Sequence, residues 1–288
     1  MKYPGLFLRT CFVLIRRTPV VLFVQSPSVV LALIAGILKP VLRYKLVVDA
    51  HNEAVVPFNF SFAGYKWILK RAIRMADLTI VTNKHLVERV RENGGIPFCL
   101  PDAIPTFANM AERQKEGNEV LFICTFSPDE PFANVIESAR HLPAETSLLV
   151  TGNHHKTDSQ IVENAPSNVR FLGFVPEDEY IQCLQSADVV VDLTHMDHCL
   201  VCGAYEAVAA CTPLVTSDTA TLRQHFSKGT VYSTHDSKSI AKNITFAVEH
   251  NSDLKEEMIS LKHELRRKWD VQKETLESLL FESSQCAE

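Results

Sequence analysis

The sequence predicts an α/β protein built from two Rossmann-like domains with parallel sheets, and three observations predict it. Short β-branched runs alternate with longer amphipathic ones along most of the chain, the pattern of βαβ units. The apolar residues of the short runs are nearly continuous, as strands covered by helices on both faces require. The alternation stops once, over 101–117, where two prolines and a polar, charged stretch carry little apolar pattern, and then it restarts. A chain of 288 residues has the length for two such domains.

Taken in order, Tyr3 to Arg16 reads as a helix. Strands follow at Val20–Val24, Lys45–Asp49 and Leu78–Thr82, with helices at Ser28–Leu38, Tyr65–Met75 and Lys84–Asn93, the last stopped by Gly94-Gly95. Thr18 to Leu38 is an uncharged run of 21 residues, about the length that spans a bilayer. The polar, proline-containing break Gln25-Ser26-Pro27-Ser28 divides it, so it reads as a buried strand turning into an apolar helix. No small-residue cleavage site follows, which excludes a signal peptide. In the second half, strands are predicted at Glu119–Cys124, Ser147–Thr151, Val169–Leu172, Val189–Leu193 and Leu214–Thr216. Helices lie between them at Phe132–His141, Glu177–Ser186 and Val201–Ala210, and the chain is helical from Ser237 to near Glu282. The expected organisation is a first domain over 1–112, a second over 113–265, and a C-terminal helix over 266–288 that packs back toward the first.

Composition narrows the class. With 46% hydrophobic and 22% charged residues the chain is globular, which excludes a disordered chain, a coiled coil and a collagen-like fibre. A net charge of −5 does not suggest a nucleic-acid partner, but its distribution is uneven. Residues 1–112 carry +7 and the remainder −12, as expected for two bodies with different partners. The eight cysteines are scattered through apolar stretches, which fits a reduced, cytoplasmic chain.

In parallel sheets ligands sit beyond the carboxyl ends of the strands, so function is sought there. Val47-Val48-Asp49 runs into His51, which either faces the mouth of the first sheet or is satisfied structurally. Ile123-Cys124 runs into the polar turn Thr125 to Pro131. That turn precedes a helix whose first amides suit an anion, unless Ser127 and Asp129 simply cap the helix. Val169 to Leu172 ends at Gly173-Phe174-Val175, where a glycine permits a tight turn. The fourth strand end is the most crowded, with Asp192, His195, Asp197, His198 and Glu206 within fifteen positions. Glu206 opens onto the small apolar face Ala207 to Ala210, and a carboxylate so placed needs a partner. His195, His198, Cys199 and Cys202 repeat at helical spacings and are of zinc-ligand type, but a single Cys-x-x-Cys is weak. No positioned base pairs with Cys199 or Cys202 as a nucleophile.

The ordered segments NVRFLGFVPEDEYIQCLQSADVVVDLT and HCLVCGAYEAVAACTPLVTSDTATLR resemble the donor-binding domain of the retaining GT-B-fold glycosyltransferases called group 1 or type 4. VVLFVQSPS, LVVDAHNE, ADLTIVTNKHLVERV and FCLPDAIP extend the resemblance through the first half. It implies a nucleobase held by backbone groups at Gly173, Phe174 and Val175, and a ribose held by Glu206. His51 matches the acceptor-side histidine. The family's earlier glutamate, eight positions before the second, is His198 here, with Asp197 beside it placed to contact the donor sugar. The following glycines are replaced by Cys199 and Val201, and the basic pair after the donor domain's first strand is replaced by the turn carrying Thr125 and Ser127. The helix starting near Leu200 still offers amides and the positive end of a dipole.

The implied site is therefore Thr125, Ser127, Gly173, Phe174, Val175, Cys199, Leu200 and Glu206 for the donor, with His51, Asp197 and His198 at the reacting centre and neither cofactor nor metal. The implied reaction moves a sugar, with retention, from a nucleotide-sugar to a glycan or lipid-linked acceptor in polysaccharide assembly. A non-catalytic relative that binds nucleotide or a partner is the alternative, and a metal-dependent hydrolase ranks behind both. Compared with the family, the first domain opens on a helix and is expected to be shortened. Arg16, Arg17, Lys39, Arg43, Lys66, Lys70, Arg71 and Arg74, with the aromatics Tyr65 and Trp67, suit peripheral association with an anionic membrane surface, or form an ordinary solvated face.

Overall fold

The computed structural model describes residues 3–26, 29–50, 55, 63–111 and 113–281. It divides into two compact units, one of residues 1–101 with 269–288 and the other of 102–268. The first unit contains α1 (Tyr3–Arg17), β1 (Val21–Ser26), α2 (Val29–Leu42), β2 (Lys45–Ala50), α3 (Ala63–Met75), β3 (Leu78–Val81), α4 (Lys84–Glu92) and β4 (Pro97–Cys99). The four strands form one parallel sheet in the order β1-β2-β3-β4.

Side chains of β2 alternate between the faces of this sheet, as a strand's period of two demands. Leu46 and Val48 join Ala35, Leu69, Ile73 and Leu86 of the helices in one core. Val47 points the other way, with Leu78 and Ile80, onto Leu276 and Leu280 of the C-terminal helix. That helix is tied down beside β4, where Gln272 Nε2 donates to the Cys99 carbonyl at 2.9 Å and Trp269 Nε1 to that of Pro101 at 3.1 Å. β4 is absent from the sequence reading because three residues opened by a proline show no alternation, a pattern tolerated only at a sheet edge. Tyr65, read from sequence as exposed, is buried in the helical core, whereas Trp67 is 65% exposed. Two helical residues lie about 200° apart around the axis, so the pair cannot share a face.

The second unit contains β5 (Asn118–Phe122), α5 (Phe132–Ser138), β6 (Thr146–Thr151), α6 (Ser159–Glu163), β7 (Val169–Gly173), α7 (Glu177–Ser186), β8 (Val189–Asp192), α8 (Cys202–Ala210), β9 (Leu214–Ser217), α9 (Ala220–His225), β10 (Thr230–Ser233) and α10 (Ser237–Glu249). α11 (Asn251–Phe281) begins in this unit and ends in the first. The six strands are all parallel, in the order β10-β9-β8-β5-β6-β7. Val120 and Phe122 of β5 face Ile240 and Ile244, while Leu121 faces Tyr205, Val208 and Met258, so the sheet has a core on each side. β10, too short and polar to show a pattern, extends the five predicted strands to six. The single C-terminal helical run is two helices, broken at His250 where φ is −107° and ψ 23°. Among the described residues no helix is long and apolar enough to cross a membrane.

Candidate functional site

β5 and β8 are neighbours, yet the chain leaves them in opposite lateral directions, toward β6 and toward β9. The change of direction makes their carboxyl ends the topological switch point, the place where open α/β sheets take ligands.

The loop after β5 is bent around a carboxylate of its own. Phe126 has φ +57°, the left-handed region that costs a bulky residue about 1–2 kcal/mol. This conformation turns the flanking N–H groups of Thr125 and Ser127 to one side, forming a concavity of the kind that binds anions. Glu130 fills it. Its carboxylate accepts from Thr125 N at 3.0 and 3.2 Å, from Thr125 Oγ1 at 2.7 Å and from Ser127 N at 3.2 Å, with Cys124 Sγ at 3.3 Å. Gly152, at the end of β6 with φ +84°, passes so close beneath that a Cβ there would collide with the Cys124 carbonyl oxygen. The expectation that Ser127 and Asp129 cap the next helix fails. The N-cap of α5 is Pro131, with no side-chain cap, and Ser127 Oγ donates instead to Asp129.

The loop after β8 leads from Asp192 to α8. Asp192 is buried, and the N–H groups of Gly203 and Ala204 at the head of α8 lie close enough to favour its charged form. Only glycine fits at 203, since a Cβ would stand 2.5 Å from Asp192 Oδ2. Burial, with the charges of Glu130 and Glu206, pushes the Asp192 carboxyl up to about 8 despite those two amides. Glu206, half-buried on the second turn of α8, accepts the Tyr180 hydroxyl of α7 at 2.5 Å. Burial raises its carboxyl, and Tyr180 partly offsets this. Two charged pairs lie at the other ends of the strands, where Arg113 meets Glu119 and Lys115 meets Asp188 at 2.6 Å, and a third, Arg223 with Asp218, lies directly beyond the carboxyl end of β9.

The two loops are stitched together. His195 N donates to the Asp129 carbonyl at 2.7 Å. Ser217 Oγ, at the end of β9, accepts Thr194 N and donates to Thr194 O, both at 2.9 Å, so its one proton is spent. His235 Nε2, 2.9 Å from the same oxygen, is therefore the donor to it, and its ring meets His195 edge-on at 4.6 Å. Burial and His195 lower the pKa of His235.

The sequence-predicted residues take the following places. Thr125 and Ser127 form the Glu130 cradle. Gly173, φ +68°, ends β7 and accepts Gly152 N at 3.0 Å, followed by an 82%-exposed Phe174 and a half-buried Val175. Asp197 and His198 are exposed in the loop after β8, Cys199 is half-buried, and Leu200 points into the core. His51 lies outside the described residues. Among the described residues no three or more His, Cys, Asp or Glu gather as a metal would need, which leaves His195, His198, Cys199 and Cys202 without the arrangement their spacing suggested. The reading of sequence assigned no role to Glu130, Tyr180 or His235. Tyr180 and His235 approach the site across long sequence separations, and Glu130 is recognised only through the bend at Phe126.

A profile of the family described as glycosyl transferases group 1 matches residues 105–264, more than half of the chain. The chain belongs to this family. Among solved structures it is similar to sucrose-phosphate synthase from Thermosynechococcus elongatus (16% identity, TM-score 0.78, covering 97% of this chain and 78% of that one). It is also similar to HepE of Anabaena in complex with UDP-glucose (16%, 0.70, 89% and 78%) and to a UDP-forming α,α-trehalose-phosphate synthase from Burkholderia xenovorans (11%, 0.68, 90% and 73%). At these identities the likeness is one of fold, and the fold is that of the GT-B glycosyltransferases. No curated protein matches the sequence.

The buried carboxyl yields a prediction. Asp192 binds a proton in the folded chain up to about pH 8 and in the unfolded chain only to about pH 4, so its contribution to stability falls as pH rises through that interval. Asp192→Asn mimics the neutral acid and removes this dependence. Between about pH 5.5 and about pH 8.5 the wild-type Tm should fall relative to that of Asp192→Asn, and parallel curves would contradict the assignment.

Proposed function

We propose that the chain transfers a sugar, with retention, from a nucleotide-sugar to a glycan or lipid-linked acceptor in polysaccharide or glycoconjugate assembly. In this reading residues 113–265 hold the donor, and residues 1–112, with the returning helix of 266–288, serve the acceptor, where His51 acts. The observation that carries it is Glu206, a half-buried carboxylate oriented by Tyr180 on the first helix beyond the switch point. Such a group accepts hydrogen bonds from the vicinal hydroxyls of a ribose, with the backbone at Gly173, Phe174 and Val175 left for the base. Thr125, Ser127, Cys199 and Leu200 would line the diphosphate through their main chain, and Asp197 and His198 the transferred sugar. Charge developing on the departing diphosphate is met by oriented amides, and the phosphate itself takes the acceptor's proton.

One observation favours the alternative of a relative that binds nucleotide without turnover. Between Thr125 and Pro131 the loop carries no lysine or arginine, and its amides hold Glu130. The two readings part experimentally. Titration of wild type with UDP and GDP should raise the melting temperature for at least one of them, with affinity about tenfold weaker in Glu206→Ala. A shift with neither nucleotide contradicts donor binding. Release of diphosphate from a member of a nucleotide-sugar panel then supports the transferase, and binding without release supports the alternative.

A cytoplasmic position at the inner membrane face is part of the proposal. Lys66, Lys70, Arg71 and Arg74 of α3 are exposed together with Trp67 and fall within about 140° of the helix circumference, on a helix without acidic residues. That combination suits anionic headgroups. The protein should co-sediment with vesicles rich in phosphatidylglycerol and not with phosphatidylcholine vesicles, and replacing the four basic residues by alanine should abolish the difference. Equal recovery with both vesicle types contradicts it.

A further inference from the structure

The cradle after β5 has the form of an anion site: two main-chain N–H groups and one hydroxyl converge on one carboxylate, the hydroxyl on Oε1, Ser127 N on Oε2 and Thr125 N on both, supported by a left-handed Phe126 and the close approach of Gly152. A phosphate offers the same oxygens to such donors as a carboxylate does. The loop lies at the switch point, beside the helix that presents Glu206, where the proposed donor would set down its diphosphate. Glu130 and a phosphate carry charge of one sign and need the same three donors, so they cannot occupy the cradle together.

We propose that Glu130 is an internal occupant of the diphosphate cradle, displaced when the donor enters, and so a determinant of donor affinity. This inference rests on the donor site proposed above. Removing the carboxylate frees the amides for phosphate without touching the base or ribose contacts. The gain is therefore confined to ligands that carry phosphates, and the same displacement runs in reverse to help expel the nucleoside diphosphate product.

The test compares wild type, Glu130→Gln and Glu130→Ala by calorimetric titration with UDP, GDP and the corresponding nucleosides. Melting curves verify that each variant is folded. Glu130→Asp, which draws the charge back by one methylene, serves as a third variant should the loop fail to fold in the others. The expected result is nucleoside diphosphate binding about tenfold tighter in the variants, with nucleoside binding unchanged. Unchanged or weaker diphosphate binding by folded variants, with wild type binding normally, overturns the inference and leaves the donor site standing. Tighter binding of nucleoside and diphosphate alike also overturns it, because the effect is then not at the phosphates. Absence of binding by every form overturns both the inference and the donor site.

Discussion

Pairing between carboxylates and main-chain N–H groups at the carboxyl ends of β5 and β8 is the constraint on which the second unit's site depends. Glu130 closes the loop after β5, and Asp192 joins the end of β8 to the head of α8. Both arrangements place main-chain amides at this edge of the parallel sheet against carboxyl groups of the same chain. The helix start and the loop are thereby held in register by groups of the chain itself. The cost is electrostatic: Asp192 is buried within reach of Glu130 and Glu206 and stays protonated well above the usual carboxylate range. The cationic groups of this sheet that pair with buried or partly buried acids lie at its amino ends, whereas Arg223 pairs with the exposed Asp218 at the carboxyl edge.

The hydroxyl network around Ser217 extends this organisation sideways. One serine oxygen joins the strand ends of β8 and β9 to His235 beyond β10. With His195 bonded to the loop after β5, three loops are fixed against one another. The loops on the β8 and β9 side are thus cross-linked by hydrogen bonds. The Glu130 side chain is held in its own loop by hydrogen bonds from Thr125 and Ser127.

Much of this was legible from the amino acids. The strands whose residues are apolar on both faces, such as Val189–Asp192, announce themselves, and Glu177–Ser186 has the bounds its pattern predicts. Elements escaped where burial is one-sided or brief: β4 opens on Pro97, and β10 consists of Thr230, Val231, Tyr232 and Ser233. Of the site, Glu206 stood out because a carboxylate followed by small apolar residues must be accounted for. Its partner Tyr180, 26 residues earlier, did not, since only the packing of α7 beside α8 brings the two together. Glu130 was in plain view in the turn, but its role follows from the sign of φ at Phe126, which no composition rule assigns to phenylalanine.

The most direct measurement is a crystal structure of the protein with UDP or GDP bound. The account requires the diphosphate beyond the ends of β5 and β8, with phosphate oxygens on the amides of Thr125 and Ser127, Glu130 swung out, and the ribose against Glu206. A nucleotide lodged elsewhere, or one bound at these strand ends with Glu130 still in its cradle, would contradict it.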